Sequence, residues 1–134
     1  MKIVIFNDEL RSEMQMYLML SNLHDVVVAR DMDDLLQLLD EQSADLTFLD
    51  LTVRKDDGGH QWDGLDLASR IRRLFPDLKL VGIYDHGDST VPQKAEDYGI
   101  TEFITRPIKN RELLQVIDRS EEHTSELQSP NTSS

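Results

Sequence analysis

Four short, largely apolar runs in this chain end on residues that can do chemistry. Ile3-Val4-Ile5-Phe6 leads into Asn7-Asp8-Glu9, Leu46 to Leu49 into Asp50, Leu78 to Ile83 into Tyr84-Asp85, and Phe103-Ile104-Thr105 into Arg106-Pro107. If these ends converge, the carboxylates of Asp8 and Asp50 face one guanidinium, that of Arg106. Carboxylates brought together repel unless a proton or a divalent cation neutralises them, and Mg²⁺ accepts one or two carboxylates while keeping several waters. A small Mg²⁺ site is the natural occupant. A metal beside Asp50 also suits a phosphoryl donor, because it neutralises equatorial oxygens while a carboxylate attacks phosphorus in line. Arg106 would then hold a phosphoryl oxygen through paired N–H bonds. The simpler alternative is an ion pair between Arg106 and Asp50 that locks the site.

The elements that must position these residues follow from hydrophobic patterning. Lys2 to Phe6 reads as a strand buried on both faces, and Asp8 to Asn22 as a helix with acids in its first turn. Val26 to Ala29 is a second strand. Asp31 caps a second helix bearing Leu35, Leu36, Leu38 and Leu39. Leu46 to Leu49 makes a third strand ending on Asp50. Arg54 to Asp63, with two glycines and many charges, predicts a long exposed loop, on which His60 would be solvated and Trp62 would anchor the loop at the surface. His86 reads as solvated too. Leu65 to Phe75 is helical until Pro76 stops it, Leu78 to Tyr84 is a fourth strand, and Pro92 opens a short helix that Gly99 ends. Phe103 to Thr105 is a fifth strand, and a last helix begins near Asn110. Strand and helix alternate five times, which right-handed crossovers fold into a parallel sheet covered on both faces, with the ligand site at the carboxyl ends of the strands.

Composition narrows the function. The chain has 134 residues, 39% apolar and 30% charged, enough for one sizeable core. Fourteen Lys and Arg against 26 Asp and Glu leave a formal charge of −12, which disfavours direct nucleic-acid binding and attraction to anionic lipid. The absence of cysteine removes disulfides, thiolate metal sites and Cys nucleophiles. MKIVIFNDE reaches an acid too early for a signal peptide or a membrane span, so a cytoplasmic address is expected.

Taken together, VIFNDE, FLDL, WDGLDLASRIR, HGD with the following Gly99, and EFITRP resemble, in register, the receiver domains of bacterial two-component response regulators. The resemblance covers residues 1–118. It implies an α/β, flavodoxin-like (βα)5 fold with strand order 2-1-3-4-5, and Mg²⁺-dependent transfer of a phosphoryl group to Asp50 from a histidine kinase or phosphotransfer protein. Asp8, Asp50 and the backbone carbonyl of Thr52 would hold the metal, with Asn7 in its outer sphere. Tyr84 and Phe103 stand where the family reads out phosphorylation, and the bond before Pro107 would be cis. No turnover enzyme is implied. The pattern also departs from the family. Asn7 replaces the first of two acids, Tyr84 a small hydroxyl residue, and Arg106 a lysine, for which arginine is no equivalent. These departures favour, as the rival reading, a phosphorylation-independent interaction module. A Mg²⁺-dependent hydrolase is disfavoured because Thr52 stands where its second Asp would be. From Arg119 the chain reads RSEEHTSELQSPNTSS, of which RSEEHTSELQS resembles the translation of a sequencing-library adapter; residues 119–134 are read as a disordered tail. An output domain beyond residue 118 and a homodimer through the last helices both stay open.

Overall fold

In the computed structural model, which describes residues 1–55 and 61–128, the apolar runs divide by alternation. Ile3 and Ile5 enter one core and Val4 and Phe6 another, one on each face of a central sheet. The elements are β1 Lys2–Phe6, α1 Leu10–Leu20, β2 Asp25–Val28, α2 Met32–Glu41, β3 Leu46–Asp50, β4 Val53–Lys55, β5 Gln61–Asp63, α3 Gly64–Leu74, β6 Leu80–Asp85, α4 Val91–Ala95 with a 3₁₀ turn over Glu96–Tyr98, β7 Glu102–Arg106 and α5 Asn110–Gln128. β1, β2, β3, β6 and β7 form one parallel sheet in the order β2-β1-β3-β6-β7. Numbered among themselves, these five strands have the expected order 2-1-3-4-5. Met16, Leu20, Leu113, Val116 and Ile117 of α1 and α5 cover one face, and Leu35, Leu39, Leu67, Ala68, Ile71 and Ala95 of α2, α3 and α4 cover the other. All five residues of β3 are buried, as a strand enclosed on both faces requires.

Local chemistry fixes the ends of the helices. Asp31 caps α2, accepting from the Asp34 amide at 2.8 Å. α1 is capped by Glu9, whose carboxylate accepts from the Ser12 amide at 2.6 Å, so the helix starts two residues later than the sequence predicts and Asp8 belongs to the loop.

Two segments differ from expectation. The stretch read as a loop over 54–63 is flanked by an antiparallel pair, with Val53 opposite Asp63 and Lys55 opposite Gln61. Strands of three residues, each with a single apolar side chain, carry too little alternation to signal themselves, whereas their backbone N–H and C=O groups still gain partners by pairing. His60, the Trp62 side chain and residues 129–134 lie outside what is described. α5 passes through residue 118, where the domain was expected to end. Arg119 forms a fork with Glu102 of β7 at 2.8–3.1 Å, and Ser120 is buried with its hydroxyl donating to the Val116 carbonyl at 3.1 Å. Ser120 prolongs the buried stripe Leu113, Val116, Ile117 at helical spacing, and a small hydroxyl residue satisfied by its own helix continues that stripe without adding to the apolar pattern. No helix among the described residues is long and apolar enough to cross a membrane.

Candidate functional site

Asp50 ends β3, between β1 and β6, and its side chain has no exposure to solvent. A carboxylate so placed must have its charge compensated. Arg106 supplies the compensation from two strands away. It ends β7, in register with Asp85 of β6, and its guanidinium crosses the end of β6 to reach Asp50. Nη1 donates to Asp50 Oδ2 at 2.8 Å and Nη2 to Oδ1 at 3.3 Å. Nη1 also donates to Asn7 Oδ1 at 2.9 Å, Nη2 to the Thr52 hydroxyl at 3.2 Å, and Nε to Asp85 Oδ1 at 2.8 Å. A guanidinium has five N–H bonds, and each of them has an acceptor here.

Asp50 is equally well served. Oδ1 accepts from the Thr52 amide at 3.0 Å and from its hydroxyl at 2.5 Å; Oδ2 accepts from the Asp8 amide at 3.0 Å. Burial by itself pushes the Asp50 pKa up, but the hydrogen bonds from Arg106 and Thr52 and the Arg106 charge outweigh it and hold the carboxyl below its ordinary range. In the unfolded chain Asp50 titrates near 3.9. A depressed folded value means that the stability drawn from the pairing is complete above that pH and is lost as pH falls through the folded value. The difference in melting temperature between the native chain and Asp50→Asn is therefore expected to be constant near neutrality and to shrink below about pH 4. Thermal melts at stepped pH would check this, and a gap unchanged into strong acid would refute it.

Of the predicted site residues, the structure brings Asp50, Arg106, Asn7 and Thr52 together. Thr52 acts here through its hydroxyl and amide, a use that only its place two residues after an Asp, where Asx turns close, signals in the sequence. Asn7 is buried. Its Oδ1 accepts from Arg106 and from the Glu9 amide at 3.1 Å, while its Nδ2 donates to the Ser12 hydroxyl at 2.7 Å. Asp8 is exposed and meets Asp50 through its backbone N–H. Its carboxylate is felt on the α1 side, where Glu13 has its pKa raised, first by burial and then by the Asp8 charge. Tyr84 and Phe103 are half-buried and pack edge to face, with ring centroids 6.0 Å apart at 84°. The Arg106–Pro107 bond is cis. Asp85 and Ser12 were not singled out as site residues. Asp85 was visible as a strand-end acid, whereas nothing in the sequence marks Ser12 as the partner of Asn7. His86 is exposed.

A doubly wound parallel α/β module with a carboxylate and a fixed cation at its strand ends belongs to the class of flavodoxin-like domains that carry one site at the carboxyl edge of the sheet. Comparison with known proteins makes the class specific: a sequence model of the response regulator receiver domain matches residues 3–118, and the chain belongs to that family, the receiver domains of two-component signalling. It is 31% identical over 92 residues to the nitrogen assimilation regulatory protein NtrX of Azorhizobium caulinodans, covering 69% of this chain and 19% of that protein. It is 25% identical over 108 residues to the hybrid signal transduction histidine kinase K of Dictyostelium discoideum, covering 72% of this chain and 8% of the kinase. The chain thus spans a fifth or less of these curated relatives. The crystal structure of the receiver domain of NtrX from Brucella abortus superposes with a TM-score of 0.78 at 30% identity, covering 90% of this chain and 98% of that one.

Receiver domains bind Mg²⁺ at their phosphorylation site. The residues assembled here do not fit such an ion as they stand. A carboxylate offers about four lone-pair sites, and Asp50 already accepts from two Arg106 nitrogens, the Thr52 amide and hydroxyl, and the Asp8 amide. Among the described residues no group of three or more Asp, Glu or His side chains is placed to hold a metal.

Proposed function

We propose that Asp50 accepts a phosphoryl group from a phosphohistidine on a histidine kinase or phosphotransfer protein. The observation that carries this reading is a buried strand-end carboxylate faced by a guanidinium and by the Asp8 and Thr52 amides. In the transfer, an Asp50 oxygen forms a bond to phosphorus as the N–P bond breaks and its electron pair returns to the imidazole. Arg106 follows by moving one N–H from the carboxylate onto a phosphoryl oxygen, while the two amides stay aimed at the acyl phosphate. On α1, which begins beside the site, Leu10, Met14 and Leu18 lie on one face and are 68%, 53% and 64% exposed, a stripe suited to a helical partner. The two curated relatives are named as a nitrogen assimilation regulatory protein and a hybrid signal transduction histidine kinase, which supports a phosphorelay role for this domain, and the small share of each that is matched supports an output module acting with it.

A second reading is favoured by one observation, the full occupation of Arg106 and Asp50 by each other and their neighbours, which suits an interaction module with a permanently closed site. Incubation with a small phosphodonor and Mg²⁺, followed by intact mass measurement, separates the two. One added phosphoryl group is expected on the native chain and none on Asp50→Asn. A native chain that gains no mass, either from the small donor or from a phosphorylated kinase, would establish the second reading.

A further inference from the structure

We infer that Arg106 is a built-in cation standing in the place of the divalent metal, an inference that rests on Asp50 being the acceptor carboxylate. The geometry is that of substitution rather than of a neighbouring ion pair. Nη1 lies 2.8 Å from Asp50 Oδ2 and 2.9 Å from Asn7 Oδ1. It therefore fills the corner between the ends of β3 and β1, and there offers Asp50 the positive charge that a metal would otherwise supply. Nη2 covers the other Asp50 oxygen and the Thr52 hydroxyl, and Asp85 holds Nε, which fixes the plane of the fork.

The charges and donors agree with this assignment. Asn7 is neutral, and its amide nitrogen is committed to Ser12 at 2.7 Å, so its oxygen is turned towards the guanidinium. Inside this corner one buried monocation meets one buried carboxylate, and the exposed acids Asp8 and Asp85 stand at its rim. Arginine suits the task better than lysine. Its planar, weakly hydrated fork can meet several fixed acceptors at once, while an ammonium is a compact point charge on a flexible stem that leaves room beside it.

The test needs no phosphodonor. Mg²⁺ is titrated into the isotope-labelled native chain and into Asn7→Asp/Arg106→Lys, and the Asp8 and Thr52 amide signals, which point at Asp50, are followed by NMR. The native chain is expected to show no saturable shift of these signals at millimolar Mg²⁺. The double variant is expected to show one, with an apparent affinity on the order of tenfold or more tighter. Should the double variant fail to fold, Arg106→Lys alone carries the same expectation in the same direction. Saturable native shifts matching those of the variant would overturn the inference, as would a folded variant that shows none. Failure of Asp50 as acceptor is read separately, by mass after phosphodonor treatment, and leaves the Mg²⁺ titration unaffected.

Discussion

Replacing Asp50 alone with alanine is expected to destabilise the domain by about 3–5 kcal/mol, the range for removing one partner of a buried ion pair. The loss comes less from the missing contacts than from what remains. Arg106, 5% exposed, would keep its charge with neutral acceptors and the more exposed acids Asp85 and Glu9 around it. Asp85 is half-exposed and screened, so it moves the result towards the lower end of the range without removing the penalty. The paired change Asp50→Leu/Arg106→Met should recover most of the loss, since replacing both ions with packed apolar groups is often neutral or stabilising. Urea unfolding of the two single variants and the double variant gives the coupling directly. An Asp50→Ala chain losing less than about 1 kcal/mol would mean that water reaches the pair and that the site is open.

Gly64→Ala should have the second largest effect, and its sign opposes helix propensity. Gly64 is the first residue of α3, and alanine inside a helix is ordinarily better than glycine by about 1 kcal/mol. Here a Cβ would stand 2.3 Å from the Asp50 carbonyl oxygen and 2.4 Å from the Leu51 Cα, both backbone atoms that cannot swing aside. Either α3 lifts from the sheet, pulling Leu67, Ala68 and Ile71 out of their core, or the end of β3 bends and carries Asp50 with it. Overpacking of this kind costs typically about 1–3 kcal/mol, and rigid backbone on the far side places this case at the upper end. A lowered melting temperature with disturbed Asp8 and Thr52 amide signals is expected. A chain as stable as the native one would show that α3 can slide at no cost.

The fold was legible in the sequence wherever burial on two faces produced unbroken apolar runs, as in Ile3 to Phe6 and Leu46 to Leu49, and wherever a cap or breaker marked a helix end, as at Asp31 and Pro76. The paired strands beside Asp50 were not legible, because three residues with one apolar side chain form a strand through backbone pairing that leaves no pattern in side chains. The continuation of α5 was hidden in the same way, by Ser120 doing apolar duty. At the site, residue types and strand-end positions pointed to Asp50, Arg106 and Asn7, including the Arg106–Asp50 ion pair as the alternative to an arginine that holds a phosphoryl oxygen. What could not be read was direction. Asp8 meets Asp50 through its amide while Glu9 takes the cap of α1, and that choice is made by loop geometry rather than by composition. The hydroxyl of Thr52 and the anchoring of Nε by Asp85 likewise exist only once β3, β6 and β7 lie side by side.

Asn7 and Arg106 are 99 residues apart in sequence, and the counter-charge of Asp50 arrives with the final strand. During synthesis the central strand is therefore made long before the group that neutralises it, and a nascent chain that sheltered Asp50 early would be trapping an uncompensated anion. Emergence of β7 from the ribosome resolves this conflict, so the same step that completes the hydrogen-bonded ladder also makes its middle rung electrically tolerable. Closure of this sheet therefore depends on charge as well as on hydrophobic burial.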